Sequence, residues 1–249
     1  MRSRRLSRAP RRPVGAAGEL VAATDAGGVA AGRRDELVEL YRELQDCRKC
    51  PLAEGRSTVV FGTGNADADL MFVGEAPGFH EDQQGKPFVG RAGKLLDQLL
   101  EEIGMSRQDC FVANTLKCRP PDNRDPMPDE IEACRPHLER QIELIEPRVI
   151  CTLGNFATKL LTGSPQGITR VRGVPQAHEI AGRSVFLYPI FHPAAALRTT
   201  AMLDQLRADF QGLPRLLAEA VPSFGEPEEP EPELAGVGAT AEVDQLGLF

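Results

Sequence analysis

The chain has 249 residues, a formal net charge of −7, six cysteines and no tryptophan. No run approaches the roughly 20 apolar residues of a membrane span, which excludes a helical membrane protein. The acidic balance excludes a protein that grips nucleic acid by bulk charge, so any such function must rest on local patches.

From the N-terminus, residues 1–34 carry eight arginines against Glu19 and Asp25, with many Ala and Gly and no apolar segment of a secretory signal. They read as a disordered arm of charge +6. Residues 35–221 hold 21 basic and 27 acidic side chains and form one domain long enough for a sizeable core. Residues 222–249 hold seven acids and no base, include the run Glu226-Pro227-Glu228-Glu229-Pro230-Glu231-Pro232-Glu233, and read as a disordered tail.

Within the domain, helical periodicity predicts helices over Arg34–Gln45, Arg91–Ile103, Asp129–Ile145, Asn155–Leu161 and Met202–Ala220. Leu95, Leu96, Leu99, Leu100 and Ile103 recur at i, i+3, i+4, and Gly104 closes that run as a C-cap. Pro128-Asp129-Glu130 places a proline and two acids in a first turn. Strands are predicted over Asp69–Val73, Cys110–Asn114, Arg148–Leu153 and Ser184–Ile190. Their nearly continuous apolar character suits strands buried on both faces. The expected architecture is a single-domain, doubly wound α/β fold, with a mostly parallel sheet of about four strands and helices on both faces.

The cysteines divide by setting. Cys110 and Cys151 sit inside apolar strands, where a thiol behaves as a small hydrophobe. Cys47 and Cys50 form a C-x2-C pair followed by Pro51. Cys118 lies in Lys117-Cys118-Arg119-Pro120-Pro121, and Cys134 follows after fifteen intervening residues. Four soft sulfurs without histidine suit a [4Fe–4S] cluster or an all-thiolate zinc site. Thiolate ligands and no secretory signal favour a reducing cytoplasm.

Ligands in such folds bind beyond the carboxyl ends of the strands, and the unusual segments follow strands. Gly74-Glu75-Ala76-Pro77-Gly78 is a rigid turn around a carboxylate. Asn114 ends a buried strand four residues before Cys118, and His192 precedes a proline at another strand end. Phe88, in Gly85-Lys86-Pro87-Phe88-Val89-Gly90, is a loop aromatic on which a base could stack.

This ordered set, with Asn114-Thr115-Leu116-Lys117-Cys118-Arg119-Pro120-Pro121, His192-Pro193-Ala194-Ala195 and the cysteine pattern, resembles the family-4 uracil-DNA glycosylases. These are the iron–sulfur members of the uracil-DNA glycosylase superfamily. The resemblance covers roughly residues 35–217. It implies Cys47, Cys50, Cys118 and Cys134 as [4Fe–4S] ligands, Phe88 as the ring stacked on flipped uracil, and Asn114 as the amide reading N3–H and O4. It implies His192 as the donor to O2, and Glu75 and Ala76 as the turn beside the base. Glu81, Asp82 and Asn123 match polar positions near the pocket. The implied activity is hydrolysis of the uracil N-glycosidic bond, which leaves an abasic site for base excision repair. Glu75, Glu81, Asp82 or a backbone-held water are the options for water activation.

The alternatives are a same-fold protein that traps uracil-DNA covalently, and a non-enzymatic Fe–S or zinc nucleic-acid binding module. Against the first, residues 114–124 are short and hold no histidine. Possible DNA contacts are Lys117, Arg119 and Arg124, with Leu197 as a wedge and Arg198 on a phosphate. The expected protein is a monomer that acts on uracil-containing DNA, single- or double-stranded. The terminal Gln245-Leu246-Gly247-Leu248-Phe249 resembles the peptide by which bacterial repair proteins bind the sliding clamp, with the Pro/Glu run as spacer.

Overall fold

A computed structural model describes residues 28–221. In chain order the elements are α1 (Gly28–Gln45), α2 (Leu52–Gly55), β1 (Thr63–Gly64), β2 (Leu70–Gly74), α3 (Phe79–Gln84), α4 (Arg91–Glu102) and β3 (Cys110–Asn114). There follow α5 (Pro128–Ile145), β4 (Val149–Leu153), α6 (Asn155–Thr162), α7 (Ile168–Val171), β5 (Gln176–Ile180), β6 (Arg183–Ile190), α8 (Pro193–Ala196) and α9 (Thr200–Ala218). Helix α1 starts at Gly28, within the segment read from sequence as an arm.

The sheet has six strands in the order β1-β3-β2-β4-β6-β5, two more than the sequence predicts. The central four run parallel, and β1 and β5 add antiparallel edges. The two edges escaped prediction for physical reasons. β1 has two residues, and β5 is partly exposed along its length with no apolar run to mark it. Helices α2, α3, α7 and α8 have four to six residues, too few to display a 3.6-residue period.

Alternate strand residues feed two cores, as pleating requires. Leu70, Phe72, Val112, Cys151, Tyr188 and Ile190 pack on one face with Leu96 and Leu99 of α4 and Phe210 and Leu213 of α9. Met71, Val73, Phe111, Ile150 and Leu187 pack on the other with Leu37 and Leu44 of α1 and Leu138 and Ile142 of α5. Cys110 and Cys151 are fully buried in the first core.

The strand order has a functional consequence. From β2 the chain crosses to β3 on one side and then to β4 on the other. The crevice beyond the carboxyl ends of β2 and β4 is therefore the switch point, where a ligand finds open strand ends and exposed turn backbone.

Candidate active site

Gly74 ends β2, directly opposite Asn114 in the register. A side chain at Gly74 would collide with Asn114 Oδ1 and meet the Phe88 ring at 3.0 Å. Glycine is thus what lets the amide and the ring converge. The two strand-end turns are then tied together. Thr115 and Leu116 donate backbone N–H groups to the Gly74 and Glu75 carbonyls at 2.9 and 3.0 Å, and Thr115 Oγ1 also donates to Glu75 O. Asn114 is 2% exposed, and its Nδ2 is buried with no hydrogen-bond partner. An unpaired amide donor in an interior costs about 1–3 kcal/mol, so its persistence at a pocket wall points to an acceptor on a ligand.

Phe88 is held in a left-handed backbone conformation, φ 54°, which a bulky residue adopts only when its neighbours impose it. The imposing group is Glu81. One carboxylate oxygen accepts from the Phe88 N–H at 2.6 Å and the other from the Gly78 N–H at 2.9 Å. Arg107 donates to the Phe88 carbonyl at 3.2 Å, and Gly93 leaves room for that carbonyl where any side chain would strike it. Glu81 therefore spends both oxygens on backbone. Asp82 does the same, accepting twice from the Ser57 N–H at 2.9 and 3.0 Å. Both carboxylates therefore hold backbone around the pocket, Glu81 at the Gly78 and Phe88 turns and Asp82 at Ser57.

His192 follows β6 and caps α8. Its Nδ1 accepts from the Ala194 N–H at 3.1 Å, so in the neutral ring the proton sits on Nε2. Desolvation lowers its pKa to about 4. Gly154, at φ 89°, lets the chain after β4 approach the His192 Cβ, with a Cβ there only 3.0 Å away. The Phe88 and His192 rings stack, with centroids 5.5 Å apart and planes 26° from parallel.

Two concavities meet at His192. The first is lined by Ala76, Gly78, Glu81, Phe88, Asn114 and His192, with Phe79 and His80 also on its wall. The second, at the switch point, is lined by Glu75, Asp125, Gly154, Asn155, Lys159 and His192. Glu75 thus faces the groove beside the Asn114–Phe88 pocket. Its carboxyl pKa is raised, chiefly by desolvation and also by the neighbouring Asp125.

Cys47, Cys50, Cys118 and Cys134 line one further cavity with Leu44, Arg56 and His137. Among the described residues, no three His, Cys, Asp or Glu side chains are gathered around a single point as ligands of one ion. Arg56 Nη1 donates to Cys118 Sγ and the Lys117 N–H to Cys134 Sγ, both at 3.3 Å, which are contacts that suit thiolates.

Lys117 corrects the sequence reading. It is fully buried, and its Nζ donates to the Asn114 carbonyl at 2.8 Å and to Gln141 Oε1 at 2.5 Å, so its ammonium cannot meet a phosphate. Arg124 is paired with the buried Glu130 through both terminal nitrogens. Arg119 lies over the Phe79 ring and donates to Asn123 Oδ1. Leu197 is 45% exposed and Arg198 is exposed, so both side chains are accessible. Asn155, Lys159, Asp125 and Phe79 were missed by sequence reasoning. Applying the strand-end rule to β4 as well would have marked Gly154 and Asn155. Gln245, Leu246, Leu248 and Phe249 lie outside the described residues.

A mostly parallel α/β sheet carrying an orphaned amide, a stacked aromatic and a neutral histidine at its strand ends defines a pocket for a planar, hydrogen-bonding ring. Comparison with known proteins agrees. The uracil DNA glycosylase superfamily model matches residues 61–212. The type-4 uracil-DNA glycosylase of Thermotoga maritima is 47% identical over 167 residues, 66% of this chain and 85% of that protein. Those of Saccharolobus solfataricus and Archaeoglobus fulgidus are 46% and 42% identical, covering 74% and 76% of this chain and 88% and 98% of theirs. The chain belongs to the uracil DNA glycosylase superfamily, on its type-4 branch.

Proposed function

We propose that this protein extrudes uracil from DNA and hydrolyses its N-glycosidic bond, leaving an abasic site as the first step of base excision repair. The observation that carries this reading is the pairing of two unspent donors on one pocket, Asn114 Nδ2 and His192 Nε2–H. A base must leave the stack before a pocket of this kind can receive it. Asn114 offers Oδ1 to N3–H and Nδ2 to O4 of uracil. Cytosine presents the reversed pattern and would leave both groups unpaired, a large penalty at a buried site. Phe88 gives the ring a surface to stack on.

As the glycosidic bond breaks, negative charge gathers on the departing base toward O2. Neutral His192 donates from Nε2 to that oxygen, an interaction that strengthens only as the charge appears. Losing such a donor typically costs about 10²–10³ in rate. Glu75, which shares the adjoining groove with Asp125, is the carboxylate we assign to orient water toward the sugar carbon. Its desolvation makes the ionised form a better base.

Cys47, Cys50, Cys118 and Cys134 would hold a [4Fe–4S] cluster; four sulfurs around one cavity, with cationic and N–H donors already aimed at two of them, fit that group. When bound it supplies a structural cross-link, because glycosidic hydrolysis moves no electron. Its four ligands would then tie the segment after α1 to α5 and to the loop that follows Asn114. The sequence of the tail supports a further partner: Gln245-Leu246-Gly247-Leu248-Phe249 would anchor to a bacterial sliding clamp, raising the local concentration of enzyme on new DNA. The cytoplasm is the compartment that suits such work. Incubation with a uracil-containing oligonucleotide, followed by alkaline cleavage, tests the reading. Strand scission at the uracil position supports it, and an intact strand overturns it.

A further inference from the structure

Phe79 has no place in the chemistry above, yet it is a large aromatic ring that is 52% exposed on the rim of the Asn114–His192 pocket. Helix α3 begins with it, directly after the Gly78 turn that Glu81 pins. Its surroundings are fixed. The Arg119 guanidinium lies 5.3 Å from the ring centroid, and His80 meets the ring edge-on at 5.4 Å. Arg119 is itself held by Nε, which donates to Asn123 Oδ1 at 2.7 Å. Asp122 and Asn123 adopt left-handed backbone at φ 53° and 54°, a conformation that shapes the turn presenting that amide. Among the described residues the terminal nitrogens of Arg119 take no hydrogen-bond acceptor, which leaves a positive fork beside an open ring.

We infer that Phe79 and Arg119 form a second nucleotide subsite, which receives the base adjoining the target uracil on the same strand and the phosphate between them. The inference rests on the uracil reading, since its occupant is defined by continuity with the uracil pocket. A strand whose target base enters that pocket must carry its neighbours across the rim. An exposed aromatic there stacks on any base, because every base has a π face, and an arginine beside it suits the backbone charge. The chain's net negative charge makes such a local device useful, as bulk attraction to DNA is absent. The subsite holds a strand without reading its sequence.

The test measures affinity of the full-length protein, at fixed salt, for a short single strand carrying 2′-fluoro-deoxyuridine, which resists cleavage. The uracil is flanked either by thymidines or by tetrahydrofuran units that lack a base. Wild type should bind the base-less flanks roughly 5- to 150-fold more weakly, the range expected for one stacked base. Phe79→Ala should bind the thymidine-flanked strand more weakly by a similar factor and be indifferent to the flanks, whereas Phe79→Trp should keep the dependence. Arg119→Gln should reduce the slope of log affinity against log salt by about one phosphate. Equal wild-type affinity for both strands, or flank dependence surviving in Phe79→Ala, overturns the subsite. Uracil excision by wild type from an unmodified strand is measured alongside. Its absence would overturn the uracil reading together with the subsite, while excision without flank dependence overturns the subsite alone.

Discussion

The Phe88 and His192 rings lie nearly parallel, 26° apart, with centroids separated by 5.5 Å. That spacing is within stacking range for two rings but too narrow to admit a third between them. The two side chains therefore hold each other in place at the pocket wall. Phe88→Ala removes both the stacking surface for the base and the brace on His192. The expected loss in capture of flipped uracil is roughly 1–3 kcal/mol, read from single-turnover rates against substrate concentration. Wild-type capture in this variant would remove Phe88 from the site.

Asn114 is predicted to trade stability for recognition. Its Nδ2 is buried without a partner, so Asn114→Ala deletes an unsatisfied donor rather than a hydrogen bond from that atom. Thermal stability should stay within about 1 kcal/mol of wild type or rise. Excision of uracil should fall steeply, and preference for uracil over cytosine should shrink. A marked loss of stability with selectivity intact would assign the amide to the fold.

The protonation of His192 sets an expected pH dependence. Its pKa is lowered to about 4 from an ordinary value of 6.5 by desolvation, so the folded chain binds fewer protons than the unfolded chain between those values. Stability contributed here is present in full above about pH 6.5 and is lost as pH falls toward 4. Across pH 5 to 8 the imidazole stays neutral, and the single-turnover rate should show no limb near pH 6.5 that disappears in His192→Ala. An NMR titration placing the His192 midpoint near 6.5 would contradict the neutral-donor account.

Glu81 is predicted to act through Phe88 and Gly78. Glu81→Ala frees two backbone N–H groups that it now satisfies, at a cost of roughly 1–3 kcal/mol in stability. Glu81→Gln keeps one oxygen acceptor and should sit between Ala and wild type, with capture of the flipped base falling in parallel. If Glu81→Gln keeps full stability but abolishes the chemical step, the carboxylate has a direct role that its two backbone bonds do not suggest.

For the cysteine cavity, Cys134→Ser should cost folding before chemistry, because a hydroxyl is a poor substitute for a cluster thiolate. Protein prepared without oxygen should be yellow-brown and contain iron. The variant should lose colour and soluble yield together, while molecules that retain the cluster keep near-normal turnover. Stoichiometric zinc without iron would overturn the cluster assignment.

Where the sequence was legible, one physical constraint dominated. The four central strands, buried on both faces, showed as apolar runs, and the predicted Cys110–Asn114 matches β3 residue for residue. Asn114 and His192 stood out because polar groups at the ends of buried strands need a reason. Edge strand β5 had no such signal, since half-exposed Gln176–Ile180 lacks an apolar run. Lys117 misled because lysines are rarely buried unless paired, and its partner Gln141 comes from a helix 24 residues on. The bracing role of Glu81 was not legible, because only coordinates reveal that its oxygens accept from the Gly78 and Phe88 N–H groups.

The most direct test of the central claim compares wild type and His192→Ala in single-turnover excision of uracil from an oligonucleotide, with affinity for the same strand measured separately. The account predicts rapid excision by wild type and a rate lower by about 10²–10³ in the variant, with a much smaller change in affinity. Equal rates for the two proteins, or a loss confined to affinity, would contradict it.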